Sequence, residues 1–297
     1  MQDMVMLLML FRSNKYVLLG DLRQAFLQIH LKSVHDKNRF CFFLKDGNRL
    51  RCFRYNTLLF GYCCSPFILN HVIRHIAKLH PEDECSRMIA SRFFVDNLVK
   101  TGNSVEELSQ LYKESANRLD AVHFDLRSCN SNSPELVKQM KEDGRYIKHG
   151  QHLDKVLGYC YSPESDHLQL NSVKVDSNAN SKRKILSESS KPFDPLGMTG
   201  PVSVRSKQLL SKLWKGEKSK NHWDETVNGE IQREWTNLSK DLQGLSTLKF
   251  PRLALLDDLP MDIFIFCDAS KVSYGFVAYA VQQRKSENYM QNPRLPL

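Results

Sequence analysis

The chain lacks several features that would settle its class at once. It has no apolar run long enough to cross a bilayer: the longest stretch, Val5 to Phe11, is far short of a membrane span. That stretch also lacks a basic leader and a small-residue cleavage site, so neither a signal peptide nor a membrane partner is expected. Eight cysteines are present, yet none forms a CxxC pair and none joins histidines at zinc-ligand spacing. A structural zinc site and a disulfide framework are therefore not expected. Several cysteines stand inside apolar runs (Cys41-Phe42-Phe43 and Phe266-Cys267), where a free thiol acts as a small hydrophobe. Cysteine usage of this kind points to a reduced, intracellular setting, cytoplasmic or nuclear. No internal repeat is visible.

What is present is an ordinary globular mixture with an excess of cations. Of 297 residues, 41% are apolar and 25% charged, enough for one large or two ordinary domains with real cores. Lys and Arg number 42 against 33 Asp and Glu, for a net charge of +9. Such a balance suits a polyanionic partner such as nucleic acid, although it also serves solubility alone.

Patterning along the chain predicts an α+β fold. Val5–Phe11 reads as a short buried helix. Tyr16–Gly20 reads as a buried strand ending at Asp21. Phe40–Leu44 and Leu50–Tyr55, around Lys45-Asp46-Gly47-Asn48, read as a hairpin. Ser65, as N-cap, and Pro66, at the first helical position, open a helix that carries Phe67, Ile68, Val72, Ile73, Ile76 and Leu79 and stops before Pro81. Phe93–Val95 and Leu98–Val99 flank a tight turn at Asp96-Asn97. Residues 104–122 form an amphipathic helix capped by Ser104. The polar stretch Asn171–Lys184 reads as a linker or exposed loop. Residues 183–243 are helical and basic with a break at Pro192–Pro201. Ile263–Ala280 returns to strand character, and regular structure is not expected from Gln282 onward.

Two carboxylates carry the chemical interest. Asp21 and Asp96 each stand at the end or turn of an apolar β segment. Two such groups brought together repel unless a cation neutralises them, and hard oxygen ligands favour Mg²⁺ with substrate phosphates completing its shell. A pair of Mg²⁺ ions would clamp the attacking and leaving oxygens of a phosphoryl transfer. Taken singly, Asp21 reads better as a surface strand end, and Asp96-Asn97 as an ordinary turn.

The order of motifs goes further. Asp21-Leu22-Arg23-Gln24-Ala25-Phe26, Phe60-Gly61-Tyr62-Cys63-Cys64-Ser65-Pro66-Phe67 and Phe94-Val95-Asp96-Asn97 resemble, in order and spacing, three palm motifs of reverse transcriptases. Downstream, Phe124-Asp125-Leu126-Arg127, Asn130-Ser131-Asn132, Lys155-Val156-Leu157-Gly158-Tyr159, Lys182–Ser187, Phe193-Asp194-Pro195-Leu196-Gly197, Trp214, His222-Trp223-Asp224 and Pro251-Arg252 resemble the BEL/Pao retrotransposon group. Phe266-Cys267-Asp268-Ala269-Ser270 resembles the first strand of an RNase H domain. The resemblance implies a palm of antiparallel strands with helices on one face and partial fingers over residues 1–170. It further implies a helical thumb or connection over 171–255, then a truncated RNase H-like start with an irregular tail over 256–297.

The resemblance also implies RNA-directed DNA polymerisation, the attack of a primer 3′-hydroxyl on a nucleotide α-phosphorus. Asp21 and Asp96 would bind the catalytic Mg²⁺ (or Mn²⁺), helped by the backbone oxygen of Leu22. Phe26 would sit beneath the incoming sugar, and Gly61 would let backbone approach nucleotide or template. RNA template, RNA–DNA hybrid and deoxynucleoside triphosphates follow as partners. By residue pattern alone, Phe26 is equally a core phenylalanine and Gly61 a turn glycine.

Departures from the family pattern imply an impaired enzyme. Asn97 replaces the second aspartate of its hairpin, offering one carbonyl oxygen and no charge. His123 replaces a glycine, Ser128 a lysine that could protonate leaving pyrophosphate, and Cys129 a tryptophan. Only a short helix precedes Asp21, so most of the fingers would be missing. Asp268 alone cannot build a two-metal RNase H site, so no RNase H activity is expected. Two other readings stand beside this one: a nucleic-acid-binding remnant without chemistry, and an inert remnant whose uncovered strands aggregate.

Overall fold

The computed structural model describes residues 2–32, 41–146, 154–215, 222–255 and 260–282, and the backbone of 295–296. Phe40, expected to start a strand, lies outside these residues, as does most of the expected irregular tail. The chain forms two compact units, Met1–Lys148 and His149–Leu297. Among the described residues no helix is long and apolar enough to cross a membrane.

The first unit is built on a four-stranded antiparallel sheet. Helix α1 (Met4–Phe11) leads into β1 (Tyr16–Leu22). A hairpin follows, β2 (Cys41–Asp46) and β3 (Arg49–Arg54), then α2 (Ser65–Ala77) and α3 (Glu84–Ser91). Strands β4 (Phe93–Phe94) and β5 (Asn97–Gly102), helix α4 (Val105–Asp120), strand β6 (Leu126–Asn130) and helix α5 (Pro134–Glu142) complete it. The sheet order is β4-β5-β1-β6. Alternation along β1 sends Leu18 and Leu22 to one face, where they join Leu69 and Ile73 of α2, Met88 and Ile89 of α3, Leu111 and Leu119 of α4, and Met140 of α5. Val17, Leu19 and Val99 alternate to the other face and are buried as well, so both faces are covered rather than the one expected. Helix α1 is fastened to β5 there: Thr101 donates its hydroxyl to the Leu10 carbonyl at 3.1 Å.

Local chemistry explains most of the helix starts. Ser104 accepts the Glu107 N–H, Asp83 accepts the Ser86 N–H, and Ser133 accepts that of Leu136. Asp83 also takes two hydrogen bonds from Arg118, which ties α3 to α4. Ser65 departs from expectation. Cys64 occupies the N-cap, while Ser65 is already helical and buried and donates its hydroxyl to Leu59 O at 2.6 Å. The serine closes the preceding loop instead of capping the helix. Helix α2 ends at Ala77, so Leu79 falls beyond it and is exposed.

Turns also differ from their predicted centres. The β2–β3 turn is Gly47-Asn48, because Asp46 already pairs with Arg49. The β4–β5 turn is Val95-Asp96, since Phe94 pairs with Asn97, so Asn97 opens a strand. Cys41 and Cys267 are exposed, against the expectation of buried thiols, whereas Cys85 and Cys129 are buried.

The second unit begins with β7 (Asp154–Val156), β8 (Tyr159–Ser162) and β9 (His167–Leu170). Helices α6 (Lys182–Ser189), α7 (Gly200–Trp214) and α8 (Gly229–Gly244) follow, then β10 (Lys249–Pro251), β11 (Met261–Ala269), β12 (Tyr274–Gln282) and β13 (Leu295–Pro296). Residues 154–170, expected with the palm, belong here because β9 pairs with β10. Leu157-Gly158 form the β7–β8 turn, both at positive φ. A Cβ on Gly158 would lie 2.4 Å from the Phe193 ring, so the Leu-Gly and Phe-Asp-Pro-Leu-Gly stretches are packed together. Asp194 then accepts the N–H groups of Met198 and Thr199 and the Tyr159 hydroxyl, which locks the start of α7 onto β8.

The stretch 171–184 is not a linker. Val175 and Ala179 are buried with Leu209, Trp235 and Leu238, and Trp235 donates its indole N–H to Asp176 O at 3.0 Å. Gln282 closes β12, and Leu295–Pro296 pair with that strand, contrary to the expectation of irregular chain. Strand β11 is exposed throughout, including Ile263, Ile265 and Phe266.

Candidate active site

Strand pairing brings the two predicted carboxylates to one end of the first unit's sheet. Asp21 lies opposite Asn97 across the β1–β5 pair, and Leu22 N donates to Asp96 O at 2.9 Å. Val95, at the turn, stands at φ +60°, a left-handed conformation that a β-branched residue adopts only under strain. That turn carries Asp96 to the edge of Asp21.

The electrostatics follow from this placement. Burial and the neighbouring Asp96 charge push the Asp21 carboxyl up from 3.8 to about 6, although the Leu22 N–H pulls the other way. Burial also raises Asp96, offset in part by its own backbone N–H. The Asn97 amide donates to Asp96 Oδ1 at 3.3 Å. Arg127, the partner of Asp21 on β6, turns its guanidinium to Asp125 and to Gly144 O. Arg145 also holds Asp125 and reaches Asp120. These two cations serve the β6 end of the sheet, and the Asp21–Asp96 pair keeps its mutual repulsion.

A half-buried, repelling carboxylate pair at a strand end suits a divalent cation. The fit is limited to two acidic ligands: among the described residues, no group of three or more His, Cys, Asp or Glu could hold a metal ion.

The remaining predicted residues occupy the flank of this end. The Leu22 side chain is buried, which leaves only its backbone for any ligand. Phe26, in the short 3-10 turn after β1, is nearly covered. Phe60 lies edge-on to it at 5.4 Å and is itself 82% exposed. Gly61 stands at φ +93° with open space where a Cβ would be, as a loop glycine requires. Asp268 lies on exposed β11, and its carboxylate accepts the Ala269 N–H.

One grouping escaped the sequence reading, which named Trp214 and Trp223 separately. Their rings meet at 5.4 Å, Lys182 lies over the first and Arg183 over the second. Two tryptophans closely spaced in a basic stretch were the available signal.

No curated protein matches this chain. A family match does exist, and it begins before the stretch expected to resemble RNase H, taking in α6 to α8 as well as β10 to β12. Residues 181–292 match the Pao retrotransposon-like RNaseH-like domain.

Proposed function

We propose that the first unit is a nucleotidyl-transfer palm, an RNA-directed DNA polymerase site weakened by Asn97. The observation that carries this reading is the Asp21–Asp96 pair, drawn together by β1 and the β4–β5 turn with its charge left uncompensated. Asp21 and Asp96, with the backbone oxygen of Leu22, would hold Mg²⁺ or Mn²⁺. The bound ions would supply charge stabilisation as the primer 3′-hydroxyl attacks the α-phosphorus and pyrophosphate leaves. Phe26 would support the sugar of the deoxynucleoside triphosphate, and Gly61 would admit template backbone. The BEL/Pao match of residues 181–292 supports a nucleic-acid template, RNA or RNA–DNA hybrid, as partner.

Asn97 removes one negative charge where two dications would sit. Loss of one such electrostatic group commonly lowers rate by about 10²–10³-fold. Primer extension on poly(rA)–oligo(dT) with Mg²⁺ or Mn²⁺ tests the proposal, parent beside Asn97→Asp. Extension that rises in the variant and vanishes with Asp21→Asn supports it. A folded Asn97→Asp protein with no extension on either metal removes it.

A second reading, a nucleic-acid-binding module without chemistry, draws on the shortage of acidic ligands among the described residues. Binding to an RNA–DNA hybrid whose log K falls linearly with log salt, with no extension by any variant, would favour it.

A further inference from the structure

The second unit carries an aromatic and cationic surface that the transfer reaction does not use. We propose that Trp214 and Trp223, with Lys182 and Arg183, form a binding site for unpaired bases of single-stranded nucleic acid.

The two indoles meet edge to face, with centroids 5.4 Å apart and planes at 74°. They remain 38% and 39% exposed, whereas Trp235 of the same unit is fully buried with its N–H satisfied. Trp235 shows the burial available to a tryptophan in this unit, whereas Trp214 and Trp223 leave apolar ring surface at the water boundary. Each exposed ring carries a cation: Lys182 Nζ lies 5.9 Å from the Trp214 centroid and the Arg183 guanidinium 5.4 Å from that of Trp223.

The arrangement is held in place. Arg183 N donates to Trp223 O at 3.1 Å, the Arg183 guanidinium grips both oxygens of Asp224, and Ser181 bridges to Thr226. The chain of 222–226 is thereby pinned to the start of α6. Lys182, Arg183 and Lys184 together occupy the first turn of that helix, where the macrodipole disfavours positive charge. Asp224 pairs with Arg183 there. Ring faces for bases and cations for phosphates are the two components of a single-strand platform, and stacking on it requires bases free of a duplex.

Tryptophan fluorescence of the full chain gives a direct test, because the sequence has three tryptophans and the third is buried. Oligo(dT), the same strand in a duplex, and heparin are titrated without metal or nucleotide, alongside anisotropy of labelled oligo(dT). The site predicts that oligo(dT) quenches emission while duplex and heparin quench little. Trp214→Leu and Trp223→Leu should each weaken oligo(dT) binding about tenfold or more, and Trp223→Phe should bind nearly as the parent does. Far-UV circular dichroism like the parent's confirms folding in each variant. Should a leucine variant unfold, Arg183→Gln replaces it, with a several-fold loss expected. Equal quenching by heparin, or unchanged affinity in folded leucine variants or in Arg183→Gln, overturns the proposal. Since no transfer step is measured, that failure would leave the polymerase reading intact.

Discussion

Asp21 faces Asn97 across two hydrogen-bonded strands, and the carboxylate that repels it belongs to the residue just before that asparagine. The Asp21 and Asp96 charges therefore act on each other, while Asn97 supplies Asp96 with a hydrogen bond and no charge.

The pair makes the first unit pH-sensitive. Asp21 titrates at about 6 in the fold against an ordinary 3.8, so the folded state holds the extra proton between those values. Its contribution to stability is complete below about pH 4 and is lost as pH rises through about 6. Thermal melts in EDTA should show stability falling across that window, with Asp96 adding in the same direction. Asp21→Asn should flatten the profile, and Mg²⁺ should raise the melting temperature at neutral pH but not at pH 4. A flat parent profile would contradict this.

Asn97→Asp adds a third carboxylate. In EDTA at neutral pH it should melt below the parent, and it should gain more from Mg²⁺ than the parent does. Primer extension should rise by roughly 10²-fold. Calorimetry with Mg²⁺ and the extension assay read the two effects separately.

His123 stands at φ +64°, three residues past the end of α4, where Phe124 N donates to Leu119 O. A side chain in this left-handed conformation costs about 1–2 kcal/mol, which glycine avoids at some expense in unfolded-chain entropy. His123→Gly should therefore stabilise the first unit by roughly 0.5–1 kcal/mol, measured by urea melts. Destabilisation would show that the imidazole makes a compensating contact.

Arg252 is fully buried, and its guanidinium binds both oxygens of Asp166, which also accepts the Tyr161 hydroxyl. Arg252→Ala leaves that carboxylate without its cation and should cost about 3 kcal/mol, the lower end of the range for broken buried pairs because Asp166 keeps some solvent contact. Arg252→Met should cost less than alanine by restoring volume. A loss under about 1 kcal/mol would mean that water replaces the guanidinium.

Periodicity and turn chemistry made much of the secondary structure legible. Ser104 and the apolar stripe of Leu108, Leu111 and Leu119 announce α4, and Tyr16–Leu19 announces β1, because caps and buried faces are local patterns. Turn centres were less legible. Asp96-Asn97 and Asp46-Gly47-Asn48 are all good turn residues, and only the strand register places the turns at Val95-Asp96 and Gly47-Asn48. The polar composition of 171–184 concealed Val175 and Ala179, whose burial depends on α7 and α8 arriving from far along the chain.

The order and spacing of motifs along the chain singled out Asp21 and Asp96, and composition showed the basic character of the helical stretch that holds α6, since both are written in the chain itself. Their neighbours were not. The opposition of Asp21 to Asn97, the diversion of Arg127 to Asp125, and the meeting of Trp214 with Trp223 arise from long-range pairing and packing. Such contacts depend on which distant segments share a sheet or a helix face, and that is a property of the folded chain rather than of any local stretch.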